Sequence, residues 1–278
     1  MKVVGFILAM MPLLVFGQEW QVAKPTKNLD QYIRDFSQVD DGDARVLDIS
    51  KFIDRLDQKG QEKNTLKFCR TLFQKTRQEF FRDYTQYATF SETLTKGKYN
   101  CLTGTALYAI LLDHFDFKYT IIETNYHIFL LAYTPEGKVL FEATDPVNGF
   151  VSNPDEIEKR IQQYKQNTIQ PNAGTNKKYY EYNVNLYQQV SVHQMSGLLH
   201  YNLSIEAYNQ QNFKEAIEHL DKALALYSSP RITEFSAILL LSVMESNLDE
   251  SVKENYLKRI QAIRKKQLPV MASRTSQH

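Results

Sequence analysis

Between residues 101 and 143 the spacing of apolar residues changes period, and this constrains the fold more than any other feature of the chain. Residues 101–115 read CLTGTALYAILLDHF, with Leu102, Ala106, Ala109, Ile110 and Phe115 spaced for a buried helix. After them, KYTIIET (118–124), HIFLLAYT (127–134) and KVLFEA (138–143) read as strands. A Pro135-Glu136-Gly137 turn joins the second strand to the third. A helix followed by hairpin-linked strands predicts an α+β chain whose core is a helix packed on an antiparallel sheet.

The flanking segments are helical in pattern. A short helix is expected near residues 29–36. Ile49, Phe52, Ile53 and Leu56 then share a face that stops at Gly60. Leu66, Cys69, Phe73, Phe80, Tyr84 and Tyr87 suggest one long amphipathic helix over about 61–90, followed by a loop over 91–100 that carries Gly97. Asn153-Pro154 reads as an N-cap with Pro at the first helical position, starting a helix that reaches about residue 166. Residues 167–178 read as a loop, and the tyrosine-rich 179–190 fits either helix or strand.

A second unit begins near Val192. Asn202, Ala207, Tyr208, Phe213, Ala216, Ala223 and Pro230 lie within residues 198–231, with a polar Asn-Gln-Gln-Asn turn between two helical stretches. This pattern resembles a tetratricopeptide repeat. Helical patterns at 233–248 and 250–264 follow, as a degenerate second repeat or a cap. The expected organisation is therefore a signal peptide at 1–17, a mixed domain over 18–190, an all-α repeat-like domain over 191–265 and a flexible tail over 266–278.

Residues 1–17 (MKVVGFILAMMPLLVFG) combine Lys2, an apolar run and small residues at Val15 and Gly17. That run has the length of a signal core and is short for a bilayer span, so export to a periplasmic or extracellular space is expected, with no membrane span after cleavage. The 33 basic and 32 acidic residues balance, and nothing points to nucleic acid as a partner. The chain has only two cysteines. Cys69 lies on an apolar helix face and reads as a core residue.

Cys101 has a different setting, between a glycine-containing loop and the first turn of a helix. Free N–H groups and positive potential at a helix start favour a thiolate, and the same amides can donate to an oxyanion. His127 opens a strand, where an imidazole could hold the thiolate and later protonate a leaving group. Asp145 follows the next strand. A turn centred near residue 136 would bring His127 and Asp145 opposite each other, so that the carboxylate orients the ring. Taken singly, each of the three has an ordinary structural explanation; together, in this order, they suggest a Cys-His-Asp triad. His114, His193, His200 and His219 show no metal-ligand spacing, and the sequence carries no phosphate-binding glycine loop, so neither a metal nor a cofactor is expected.

The segments around the three residues carry a resemblance. Gly97-Lys98-Tyr99-Asn100-Cys101-Leu102-Thr103-Gly104 is similar to the nucleophile segment of bacterial transglutaminase-like domains of the papain-like clan. Tyr126-His127-Ile128-Phe129 resembles their histidine strand, and Glu142-Ala143-Thr144-Asp145-Pro146 their aspartate segment. The matching motifs span about 90–150, and the repeat extends the likeness, which is strongest with members that carry a helical-repeat tail. The resemblance implies a helix-plus-antiparallel-sheet core and a thiol-dependent acyl hydrolase or transferase acting on a peptide or protein amide. Well-characterised transglutaminases often place Trp after the nucleophile. Here Leu102 follows, so cross-linking is not implied. Asn100 and Tyr99 flank the nucleophile and are the candidates for a second oxyanion donor. The alternative is an exported binding scaffold, with a protein partner on the repeat-like face.

Overall fold

The computed structural model describes Val22 and residues 28–40, 49–58, 63–166 and 186–275. The expected signal peptide and the 167–178 loop lie outside the described residues.

The described chain is mixed helix and sheet. Three helices come first: α1 (Leu29–Ser37), α2 (Ser50–Asp57) and α3 (Leu66–Phe80). Strand β1 (Asp83–Tyr84), helix α4 (Phe90–Lys96) and strand β2 (Lys98–Tyr99) lead into α5 (Cys101–His114). Strands β3 (Lys118–Thr124), β4 (Ile128–Thr134), β5 (Gly137–Phe141) and β6 (Phe150–Val151) follow. Then come α6 (Pro154–Lys165), β7 (Tyr187–Val190), α7 (Val192–Asn209), α8 (Phe213–Leu226), α9 (Pro230–Glu245) and α10 (Glu250–Thr275). The main sheet is antiparallel, in the order β6-β5-β4-β3-β7.

The helix-then-sheet core expected from the period switch is present. Leu102 to Asp113 are all buried, because α5 has the sheet on one side and helices on the others. An aromatic cluster locks α3, α5 and β5 together. Phe73 stacks on Tyr108 at 5.0 Å, and both meet Phe141 edge-on at 5.2 and 5.1 Å. Each such pair adds about 0.5–1.5 kcal/mol to its burial. The Tyr108 hydroxyl donates to the Phe73 carbonyl at 3.1 Å, satisfying its one polar atom. The opposite sheet face carries a smaller cluster, in which Phe129, Leu131 and Leu140 meet Ile157 and Ile161 of α6.

The expected long helix over 61–90 is broken. Phe81 turns extended and stacks on Tyr99 at 4.8 Å, while the Arg82 and Asp83 N–H groups donate to the Gly97 carbonyl. Tyr84 therefore belongs to β1, not to a helix face. The expected 91–100 loop is largely helical. Thr89 and Glu92 form a reciprocal capping box at the start of α4, and Gly97, at φ 73°, ends it in the left-handed region. In the tyrosine-rich segment, Tyr187–Val190 is a strand pairing with β3, and 179–185 lie outside the described residues.

Helices α7 and α8 form the hairpin expected from the repeat-like pattern, with Gln211 left-handed at φ 61° in the turn. A Cβ at Gly197 would stand 2.7 Å from that of Tyr227, which shows how closely the two helices approach. One apolar core runs from Ile33 through α5 and the sheet to Ile263, so it continues across the boundary expected at 190/191. The segment expected as a flexible tail departs from that reading too: α10 continues to Thr275. Among the described residues no helix is long and apolar enough to cross a membrane.

Candidate active site

Cys101 is the first residue of α5 and is half-buried. Asn100 caps that helix: its Oδ1 accepts from the Leu102 and Thr103 N–H groups at 3.0 and 2.9 Å. Thr103 Oγ1 accepts the Asn100 N–H in return at 3.2 Å. The Asn100 Nδ2 donates to the carbonyls of Gln86 and Ala88, both at 3.1 Å. This buried side chain anchors the nucleophile loop and has no amide hydrogen left for an oxyanion. Tyr99, the other expected donor, is buried beneath Phe81.

Two close approaches fix α5 relative to the sheet. A Cβ on Gly104 would lie 2.7 Å from that of Ala143, so only glycine lets the helix come this near the end of β5. One residue on, Thr105 Oγ1 donates to the Ile128 carbonyl at 3.3 Å. His127 precedes Ile128. Its N–H donates to Thr124 Oγ1 at 3.1 Å, and its carbonyl accepts from the Thr124 N–H at 2.8 Å, which closes a tight β3–β4 turn. Cys101 is near enough to the His127 imidazole to help raise it.

The carboxylate on the other side of the ring is Glu142, not the expected Asp145. His127 Nε2 makes a short contact with Glu142 Oε2. The reason lies in strand register. The β4–β5 ladder pairs Leu130 with Phe141 and Thr134 with Gly137. Carried on, it sets position 127 against 144, one residue short of the expected partner. A one-residue slip exchanges sheet faces. Glu142 thus shares the face of His127, and Asp145 does not. Asp145 instead shapes the loop beyond. Its Oδ1 accepts from the Val147 and Asn148 N–H groups at 3.1 and 2.8 Å, and its Oδ2 pairs with Arg160 at 3.2 Å.

Glu142 is tightly held. Its Oε1 accepts from the Thr144 N–H and Oγ1 at 2.9 and 2.7 Å. Its Oε2 also accepts from the Tyr164 hydroxyl at 3.1 Å. The Tyr164 ring lies 5.2 Å from the His127 ring and 4.7 Å from Phe129, so α6 covers the pair. Gly149 lets the loop close behind Glu142, since a Cβ there would stand 2.3 Å from the Glu142 carbonyl oxygen. The pattern had offered one signal for this residue: Glu142 is the one acidic residue of the strand and stands between the apolar Phe141 and Ala143, and a buried carboxylate needs partners. Tyr164 gave no such signal.

Burial opposes charge on His127, but the Glu142 carboxylate, the nearby Cys101 and the hydrogen bond to Glu142 outweigh it and lift the imidazole to about 10. Burial likewise opposes charge on Glu142, and His127 with the Thr144 donors holds it down at about 2. The raised His127 contributes stability that is complete below its ordinary value of 6.5 and is lost as pH rises through about 10. The lowered Glu142 contributes stability that is complete above 4.5 and is lost as pH falls through about 2. The difference in unfolding free energy between wild type and Glu142→Gln should therefore be largest between pH 4.5 and 6.5 and shrink toward both extremes. Urea titrations across pH measure it; a difference that grows above pH 8 would contradict the assigned charges.

No family model, curated protein or solved structure matches the chain. A thiol at a helix start, an imidazole against it and a buried carboxylate behind the imidazole can together perform nucleophilic acyl chemistry.

Proposed function

We propose that this chain is an exported thiol-dependent acyl hydrolase or transferase with a transglutaminase-like core, acting on a peptide or protein amide. The single observation that carries the reading is the buried His127–Glu142 pair, bonded through Nε2, set beside the Cys101 thiol at the start of α5. In it Glu142 takes the orienting role that the resemblance had implied for Asp145.

Cys101 Sγ attacks the carbonyl carbon, and the carbonyl electrons move onto oxygen. His127 holds the thiolate as an ion pair and then gives its proton to the departing amine. Glu142 fixes the ring orientation and balances its positive charge. Water, deprotonated by His127, then attacks the thioester and releases the acid and the free thiol. Hydrolysis, with water as the acyl acceptor, is the assigned outcome. The helical unit, read as tetratricopeptide-like, would present a protein substrate. The observation favouring this second role is that Leu241 and Met244, three residues apart on α9, are 56% and 53% exposed.

Iodoacetamide labelling tests the thiol. Cys69 has no exposed surface, and burial pushes its thiol far up, so it should stay unlabelled in the folded protein. Cys101 should react, and should react more slowly in His127→Ala. Labelling of Cys69 at the same rate as Cys101 would count against the assignment.

A further inference from the structure

A tetrahedral intermediate on Cys101 needs hydrogen-bond donors aimed at its oxygen. The Cys101 N–H is the natural first donor, since among the described residues it makes no hydrogen bond and the Asn100 cap serves only the next two amides. The flanking side chains do not supply a second: Asn100 has spent both amide hydrogens and Tyr99 is buried.

The strand next to the nucleophile segment carries a further hydroxyl. Strand β1 pairs with β2 in parallel, and Tyr84 is registered against Tyr99, two residues before the nucleophile. The Tyr84 ring stands edge-on to Tyr99 at 6.2 Å and is held from below while 60% of the residue is exposed. Among the described residues its hydroxyl has no hydrogen-bond partner. Partial burial, and next the neighbouring Cys101, raise the phenol above its ordinary value, which keeps its proton in place. A neutral phenol of this kind is a good donor and a poor acid.

We propose that the Tyr84 hydroxyl, together with the Cys101 N–H, donates to the oxyanion formed when Cys101 attacks an acyl carbon. The inference rests on the thiol chemistry proposed above. As the sulfur–carbon bond forms, the carbonyl π electrons become a lone pair on oxygen, and the two donors stabilise that charge without losing their protons. As the intermediate collapses, the carbonyl re-forms, the leaving group departs with the carbon–leaving-group electron pair, and the Tyr84 hydroxyl is released unchanged. Tyr84 is then a catalytic residue by contact with the reacting oxygen.

Two reactions of the same thiol separate this role from a structural one. Acylation by p-nitrophenyl acetate passes through an oxyanion; alkylation by iodoacetamide displaces iodide and builds none. Tyr84→Phe keeps the ring and removes only the donor. It should slow acylation by about 10²-fold, the usual loss on removing one such donor, and leave the alkylation rate near that of wild type. Acylation at the wild-type rate in Tyr84→Phe would overturn the proposal, as would an equal slowing of both reactions, which would mean that the thiol itself had been disturbed. If wild type is alkylated at Cys101 yet never acylated, the proposed function fails and this inference fails with it.

Discussion

Replacing Glu142 by Gln should lower the rate of acyl capture at Cys101 by about 10³–10⁴-fold, while Asp145→Asn should leave it within about threefold. The first figure is the usual cost of turning the orienting carboxylate of such an array into an amide. Gln can still touch the ring, but it carries no charge to balance an imidazolium and it can present a donor where an acceptor is needed. The ring would then favour the wrong tautomer toward the thiol. Asp145 is different. Asn keeps an oxygen for the Val147 and Asn148 amides and loses only a partly exposed pairing with Arg160. A pair of that kind contributes about 0–1 kcal/mol. Stopped-flow release of p-nitrophenol from the two variants reads the contrast. Equal losses in both, or the larger loss in Asp145→Asn, would return the orienting role to Asp145.

Glu123→Ala should destabilise the fold by about 3–5 kcal/mol, the cost of leaving one member of a buried ion pair uncompensated. Glu123, on β3, has no exposed surface. Its Oε1 lies 2.8 Å from Arg231 Nε on α9, and its Oε2 accepts from Tyr227 and from Gln188 Nε2. Arg231 is itself largely buried, packs over the Tyr201 ring, and donates to the Asn125 carbonyl at 3.3 Å. One carboxylate thus ties the sheet to the α8–α9 junction and to the turn that carries His127. Removing it takes the carboxylate acceptor away from both the Arg231 guanidinium and the Tyr227 phenol. Urea denaturation should show a lower midpoint with one transition, because the core is continuous across 190/191. A loss under 1 kcal/mol would mean that water reaches the network, and two separate transitions would mean that the helical unit folds independently.

What could be read from the sequence was local. Leu102 to Phe115 and the three strands announced themselves because their periods differ and each is bounded by turn residues. The Asn153-Pro154 cap and the α7–α8 hairpin were legible for the same reason. Cys101 stands at the start of α5, and His127 in the β3–β4 turn, as their local patterns suggested. The third member was missed by a single step of register. Pro135-Glu136 forms the turn, with Gly137 already paired to Thr134, so the hairpin centre lies half a residue before the assumed one and the faces exchange. The break after Phe80 was hidden because Tyr84 and Tyr87 continue a helical period by coincidence, although the Thr89–Glu92 capping box was present in the sequence. Strand β7 could not be read at all, since Val190 pairs with Ile121 across a long separation and no local pattern specifies that partner. Tyr164, Tyr84 and the contact between His200 and His219, whose Nδ1 atoms lie 3.0 Å apart, are likewise products of tertiary packing.

The most direct measurement is the site and stoichiometry of acyl capture. Full-length protein is mixed with excess p-nitrophenyl acetate, quenched in acid during the first turnover, digested and mapped by mass. The expected result is a burst of p-nitrophenol close to one equivalent, with the acetyl group on the peptide bearing Cys101 and none on the peptide bearing Cys69. In Cys101→Ala both the burst and the acetyl mark should disappear. A burst of the same size in Cys101→Ala, or an acetyl group found on other residues of the wild type, would contradict the assignment of Cys101 as nucleophile.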